Sequence, residues 1–586
     1  MIKFPYGIAS FKEIRECDYL YIDRSPYIRM LEDKGQTLVL VRPRRFGKSL
    51  LLNMLETYYD INEKDNFDKY FGDLAIGKNP TPLRNKFLIL KLDFSNVSPI
   101  GTVKEIERDF HDYCNKVYAR FIRKYQGILT EELEINSQNS LATLEGIWNC
   151  VEAAQQRVYV LIDEYDNFAN ALMTTRRVEE YHHIVTGDGI LKTFFKKLKS
   201  ATQTVIKKIF ITGVAPVVLS DVSSGFNISI NISLNKRFHD LCGFSEEETS
   251  QILKKVLEEI GKADEFPKFF RLMQIYYNGY RFHVDVKNKI YNPTLVLYFL
   301  EVLQEEGRPP RPIWDPNIHT DINTIDFFAK IAPGQEAILR ILGSKNNEIK
   351  VKDLFIGFQL RDIMDLGEKD YDYISSLLYY FGLLTIARQE FNLILEIPNR
   401  ISKELYLRKI AEILFPKSLA LGLIQKEMFQ KGNIKKAVDF LEGLLEILSN
   451  RDYLYKINEL GYKLIFLSIF YRPDFYLIES ESEIMKGYAD LLYMVRKDRG
   501  MTNLVNFILE FKYISLKEIG ETTKELKKLS AQELEQKEIV KSKVQEAKAQ
   551  LLQYERDLNQ KYPEIKFRKY IIVGIGFVRI LGFEVM

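Results

Sequence analysis

Two sets of lysines and carboxylates in this sequence have the spacing of metal-assisted phosphate chemistry, and they lie at opposite ends of the chain. The first is Arg42-Pro43-Arg44-Arg45-Phe46-Gly47-Lys48-Ser49, with Asp163-Glu164 far downstream; the second is Asp490 followed by Glu510-Phe511-Lys512. A strand-to-helix turn ending in Gly-Lys-Ser aims backbone N–H groups and a helix N-terminus at an anion. Lys48 then reaches terminal phosphates and the Ser49 hydroxyl can ligate Mg²⁺. In the second set, side chains alternate along a strand, so Glu510 and Lys512 project from one face. A hairpin centred near Gly500 sets Asp490 opposite Glu510, where both carboxylates can share a divalent ion while Lys512 positions its water or offsets developing charge.

The elements that must hold these residues are short apolar runs. Thr37 to Val41 is β-branched and apolar, as a buried parallel strand requires, and Leu50 to Leu55 resumes with a helical apolar face. Val158 to Ile162 is a second such strand and delivers Asp163 and Glu164 at its end. Those two carboxylates suit a metal ligand and a base for the attacking water, respectively. A third run, Lys208 to Ile211, ends at Thr212, which fits either a contact near the terminal phosphate or a plain strand-end turn. One departure stands out: Arg42 occupies the place where the phosphate-loop pattern usually begins with Gly, and Pro43 brings no N–H. At the other end, Gly487 to Val495 and Leu504 to Tyr513 read as two strands around a polar turn, and Tyr570 to Phe577 as the final strand of that sheet.

The chain resembles the bacterial and archaeal AAA-ATPase-like proteins that join a P-loop ATPase to a C-terminal PD-(D/E)XK nuclease-like domain. The resemblance is carried by Phe4-Pro5-Tyr6-Gly7, Phe11, Tyr21-Ile22-Asp23, Arg42 to Ser49, Leu161 to Asp166 and Ile211-Thr212-Gly213. Cys242 to Glu248, Tyr277 to Phe282 and Tyr291-Asn292-Pro293 extend it. The resemblance implies that Arg42 is ordinary in this form of the loop, so Arg45, Phe46, Gly47, Lys48, Ser49, Asp163 and Thr212 would bind ATP and Mg²⁺, with Glu164 catalytic. It further implies that Glu459, from a first helix, and Gln550, from the helix after the Glu-x-Lys strand, join Asp490, Glu510 and Lys512 in the second site. A homo-oligomer is implied on the same ground, and Arg237 is a candidate arginine finger.

Composition bounds these expectations. At 586 residues the chain is too long for one core. With 46% hydrophobic and 28% charged residues it is globular rather than disordered. A net charge of only +3 gives no overall basic surface, so nucleic-acid binding would need a local groove. Cys17, Cys114, Cys150 and Cys242 lack metal-ligand spacing, which argues against a zinc or disulfide framework. The start has no signal-peptide core, and Tyr462 to Ile478 is interrupted by Lys463, Arg472 and Asp474, so no membrane span and a cytoplasmic location are expected.

Between the two sites the sequence reads as mostly helical. Ser245 is the expected N-cap of a helix that opens on Glu246-Glu247-Glu248 and carries Ile252, Val256 and Ile260 on one face. Gly307 to Pro312 is a stiff connector. Helices at Glu336 to Leu342 and Tyr371 to Phe381, then a hairpin of Leu383 to Ile386 with Leu393 to Ile397, follow the order of a winged helix. The charge-rich stretch from Lys517 to Tyr554 reads as a long solvated helix or partial coiled coil.

The expected architecture is therefore multidomain α/β. A P-loop NTPase core (1–240) carries a parallel sheet with flanking helices, followed by a helical lid (241–306), a connector and winged-helix-like region (307–415), and a restriction-endonuclease-like α/β domain (416–586). The leading function is an ATP-hydrolysing protein coupled to a Mg²⁺-dependent nuclease acting on nucleic acid. The alternative is a nucleotide-dependent switch whose C-terminal domain binds nucleic acid or protein without cleavage.

Overall fold

The computed structural model describes residues 1–98, 100–131, 133–167, 189–217, 226–311, 313, 315, 325, 327–329, 331–344, 347–358, 370–414, 421–448, 459–472, 475–484, 487–496 and 503–585. The turn expected near Gly500, together with Pro312 and Asp474, lies outside them. The chain divides into two compact units, Met1–Ala337 with Glu348–Ser402, and Ile338–Asn347 with Lys403–Met586. Among the described residues no helix is long and apolar enough to cross a membrane.

In the first unit five strands form one sheet: β1 (Thr37–Val41), β2 (Leu88–Asp93), β3 (Val158–Asp163), β4 (Ile206–Gly213) and β5 (Ile230–Asn231). Their order is β2-β3-β4-β1-β5, and every pairing is parallel. Every residue of β1 and β3 is buried, as expected of parallel strands covered on both faces. β4 lies between β3 and β1, with Leu40 opposite Thr212 and Ile162 opposite Ile211. The ends of β1, β3 and β4 therefore open side by side at the carboxyl edge of the sheet, where open α/β sheets bind ligands. β2 was not foreseen, although Leu88-Ile89-Leu90 is an apolar run of the same kind.

Helix Glu246–Glu259 begins on a full capping box: the Ser245 side chain accepts from Glu248 N, and Glu248 reaches back to the Ser245 backbone. Later in this unit, β6 (Glu348–Val351), helix Tyr371–Tyr380, β7 (Thr385–Gln389) and β8 (Leu393–Glu396) follow, and the three strands make an antiparallel sheet of order β6-β8-β7. This is the hairpin the sequence suggested, with one extra strand. The Tyr277 to Phe282 segment packs against it: Arg281 N donates to Thr385 Oγ1 at 2.6 Å, and its guanidinium also reaches Ala387 O.

The second unit is built on β9 (Tyr476–Ile484), β10 (Gly487–Val495), β11 (Asn506–Ile514), β12 (Phe567–Ile575) and β13 (Arg579–Val585), in the order β13-β12-β11-β10-β9. β10 and β11 are antiparallel, β11 and β12 parallel. Two expectations need correction. The strand at Tyr570 is not the last, since β13 pairs along its outer side. Nor is Lys517 to Tyr554 a solvated helix or coiled coil. Capping boxes at Ser515/Glu518, Thr522/Glu525 and Ser530/Glu533 break its first part into short helices. Helix Glu538–Lys561 then lays Val540, Ala547, Leu551, Tyr554 and Leu558 into the core against Ile508, Ile571 and Val573. The physical reason is topological: a parallel pair such as β11–β12 needs a crossover, and this helix is that crossover.

Candidate functional sites

The loop after β1 is held by the residue that looked least suited to it. Arg42 is 1% exposed, and its guanidinium donates to Val41 O at 3.0 Å, Ser233 O at 2.7 Å and Phe238 O at 2.8 Å. It also stacks on the Phe282 ring, 3.9 Å from the centroid. Arg42 is thus a buried clamp at the loop's root. Phe46, also buried, packs edge-on against Tyr280 and Phe282, and its carbonyl accepts from Gly243 N at 3.1 Å. Gly47 caps helix Lys48–Tyr59 with φ at +89°, a conformation that favours glycine, and a Cβ there would meet nothing within 4 Å. Inside the loop, Lys48 Nζ donates to Arg42 O and Pro43 O, both at 3.1 Å.

The acidic side is equally ordered. Asp163 Oδ1 accepts from Thr212 Oγ1 at 2.6 Å and from Glu164 N at 3.0 Å. Thr212 therefore reaches the site through Asp163, which it orients across the β3–β4 pair. Glu164 sits at φ +50°. Burial raises its carboxyl above the usual range; Lys48 opposes the rise, and Asp166 and Asp163 reinforce it. Asp166, given no role by the sequence, accepts from Val214 N and Ala215 N, while Tyr165 OH donates to Ala215 O. A Cβ at Gly213 would collide with the Asp166 carboxylate and the Tyr165 ring, so only glycine fits there.

Arg45, Gly47, Lys48, Ser49 and Glu164 line a cavity of about 360 Å³ together with Ile8, Leu20, Ile22, Cys242, Thr294 and Leu297. Arg45 Nη1 is buried with no partner. An orphaned guanidinium nitrogen beside a lysine and a helix N-terminus fits an anionic group such as a phosphate chain. Arg24 also lines this cavity, pairing with Glu248 at 2.6 Å and donating to Gly243 O. It fastens the N-terminal segment to the capping box of helix Glu246–Glu259, a link the sequence alone did not suggest. Arg237 is exposed in a short 3₁₀ turn.

The second constellation assembles on β10, β11 and two helices. Leu491 lies opposite Leu509 and Leu492 opposite Ile508, a register that brings Asp490 and Glu510 to neighbouring positions on adjacent strands. Asp490 Oδ2 accepts from Phe511 N at 2.7 Å. Lys512 Nζ donates to Glu510 Oε1 at 2.9 Å and lies 3.9 Å from Glu546 on the crossover helix. Glu510 is 3% exposed, and its Oε2 is buried without a partner. Burial, then the Asp490 charge, pushes its carboxyl up to about 8 against the pull of Lys512. Gln550 Oε1 is likewise buried and unpartnered. Burial and Asp490 raise Glu459, the first residue of helix Glu459–Phe470.

Sequence reading passed over Lys463 here. It is 4% exposed, one turn beyond Glu459, and its Nζ lies 3.6 Å from Asp490 Oδ1. The signal was its spacing from Glu459, which puts both on one helix face. Among the described residues no group of three or more His, Cys, Asp or Glu side chains is arranged to hold a metal ion. The donor set at Asp490 and Glu510 still fits a hard cation. It offers two carboxylates, one of them with an orphaned oxygen, and Mg²⁺ ordinarily keeps several waters beside one or two carboxylates.

Residues 5–223 match the family model described as "Predicted AAA-ATPase", and residues 457–583 match that of the PD-(D/E)XK nuclease superfamily. A protein of Azotobacter chroococcum mcd 1 described as "Uncharacterized protein in vnfD 5'region" is 26% identical over 391 residues, which cover 66% of this chain and 64% of that protein, just under two thirds of its length. Among solved structures, Cdc6p from Pyrobaculum aerophilum is 12% identical over 69% of this chain and 98% of its own, with a TM-score of 0.27. The Aeropyrum pernix ORC1 protein, solved in complex with DNA, is 10% identical over 69% of this chain and 97% of its own, with a TM-score of 0.27. The Aeropyrum pernix ORC2 protein is 11% identical over 66% and 93%, at 0.29.

Proposed function

We propose that this chain, which carries an AAA-ATPase-like domain at its N-terminus and a PD-(D/E)XK nuclease superfamily domain at its C-terminus, binds and hydrolyses ATP to control divalent-metal-dependent cleavage of nucleic-acid phosphodiesters. The observation that carries the reading is the Asp490, Glu510 and Lys512 set, held on adjacent strands with one glutamate oxygen unpartnered. At the N-terminal site Lys48 would leave the loop carbonyls for the phosphates, joined by Arg45 and the N–H groups at Gly47 to Ser49. Ser49 and Asp163 would hold Mg²⁺, Thr212 keeps Asp163 oriented, and Glu164 faces the water. Its raised pKa suits a group that accepts a proton.

At the C-terminal site Asp490 and Glu510 would hold the cation, which polarises a phosphate and lowers the pKa of bound water. Lys512 sets Glu510 and offers positive charge to the developing anion. Glu459 and Gln550 stand at the rim, able to hold water molecules of the cation's shell. The test is cleavage of linear and circular DNA and of RNA with Mg²⁺ or Mn²⁺, with and without ATP. Asp490→Ala, Glu510→Ala and Lys512→Ala should each lower cleavage at least about a hundredfold, with folding unchanged. Undiminished cleavage in all three rejects the site. A switch without cleavage is the second reading, favoured by the lysine partners that already neutralise Asp490 and Glu510. Intact ATP turnover with no cleavage of any substrate would select it.

A further inference from the structure

The contact between Lys463 and Asp490 sets a buried ammonium against one of the two carboxylates read above as cation ligands. Asp490 Oδ2 accepts from Phe511 N at 2.7 Å, and Lys463 Nζ lies 3.6 Å from the other oxygen, Oδ1. The second distance is too long for a hydrogen bond yet within ion-pair range, so the attraction is electrostatic and Oδ1 stays within reach of a cation. The lysine is 4% exposed on a helix whose neighbouring Tyr462 and Phe466 belong to the core. Burying a lysine is expensive, and negative charge beside it is what offsets the cost. Glu459, one turn before Lys463, and Glu510 place further negative charge in the same cluster, opposed by Lys512.

We infer that Lys463 is a positioning residue of the C-terminal site, a tethered counter-ion that holds Asp490 in place and competes with the divalent cation for Oδ1. The inference rests on the reading of Asp490 and Glu510 as cation ligands. A divalent ion entering beside a fixed ammonium meets like charge a few ångströms away, so Lys463 weakens occupancy. In exchange it keeps the carboxylate pinned in one orientation from both of its oxygens. Removing the charge should therefore separate two quantities that a merely structural role would move together: cation affinity rises while turnover at saturating cation falls.

The experiment is titration of the nucleotide-free, full-length protein with Mn²⁺ by calorimetry, for wild type, Lys463→Met, Lys463→Arg and Asp490→Asn, with cleavage measured across Mn²⁺ concentration in parallel. The Asp490→Asn variant identifies which heat belongs to the site. Lys463→Met is expected to bind Mn²⁺ about tenfold more tightly and to turn over at least about threefold more slowly at saturation, whereas Lys463→Arg stays near wild type. Should Lys463→Met not fold, Lys463→Gln makes the same comparison. Affinity within about twofold of wild type in the neutral variant overturns the inference alone. Absence of any Asp490-dependent Mn²⁺ binding overturns it together with the cation-site reading. Tighter binding without cleavage by any form upholds the counter-ion role and defeats the nuclease reading.

Discussion

Arg42 shows how one side chain can be misjudged from pattern and explained by packing. A phosphate loop usually opens on glycine because the backbone must turn without a Cβ in the way. Here the guanidinium folds back into the protein, donating to carbonyls at 41, 233 and 238, and leaves the nest to the residues after it. Burial lowers its pKa, but a guanidinium stays charged and so needs those acceptors. Arg42→Ala should destabilise the first unit by roughly 3 kcal/mol, because buried carbonyls at Ser233 and Phe238 lose a charged donor. Its nucleotide affinity should fall as the loop root loosens. Arg42→Lys should not rescue it, since a single ammonium cannot span the fork. Chemical denaturation with and without ATP measures both effects, and wild-type values for either variant would refute the clamp. Lys48, Asp163 and Glu164 were legible because their roles depend on residue type and on position after a strand. Arg42's role depends on segments nearly two hundred residues away, which local spacing cannot show.

At the scale of elements, the same loop root is tied to His239 and the aromatic cluster around Phe282. His239 Nδ1 accepts from Phe282 N at 3.3 Å, while its Nε2 lies 3.0 Å from Asn288 O and donates to it. That fixes the neutral tautomer. Burial, reinforced by the Arg42 charge, pushes the imidazole down from 6.5 to about 4. The unfolded chain therefore binds a proton that the folded chain refuses, and stability must drop as pH falls through that interval, by roughly 3 kcal/mol in total. In denaturation curves between pH 7 and 4, His239→Gln should flatten this acid limb while lowering stability modestly at neutral pH; an unchanged slope would show that another group sets it. Element reading succeeded where a pattern was periodic or bounded by a cap, as at β1, β3 and the capping box of Ser245. It failed at the crossover helix, whose buried stripe of Val540, Ala547, Leu551, Tyr554 and Leu558 lies within a charge-rich stretch. The charges occupy the outer face, and only the parallel β11–β12 pairing reveals what the inner face covers. β9 and β13 were missed for a related reason: Glu479, Glu483 and Arg579 interrupt their apolar residues, and their strand character comes from neighbours already in the sheet.

For the whole molecule, the two constellations belong to different compact units, each with its own sheet. Both were visible in the sequence, because each is confined to one or two strand ends. What links them was not, since coupling is a property of free energies rather than of any residue pattern. If ATP state controls the second site, nucleotide must change the cation affinity at Asp490 and Glu510, and by linkage the cation must change nucleotide affinity by the same factor. Couplings of this kind usually amount to about 1–3 kcal/mol, a shift of roughly five- to 150-fold. The quantity to measure is the Asp490-dependent Mn²⁺ affinity with and without saturating nucleotide, then nucleotide affinity with and without Mn²⁺ in the Asp163→Asn background, which removes the cation's carboxylate ligand at the first site. Equal factors in both directions, lost in Lys48→Ala and in Asp490→Asn, are the expected outcome. A factor of one in both directions would mean that the chain carries two independent chemistries, with ATP turnover serving a step other than cleavage.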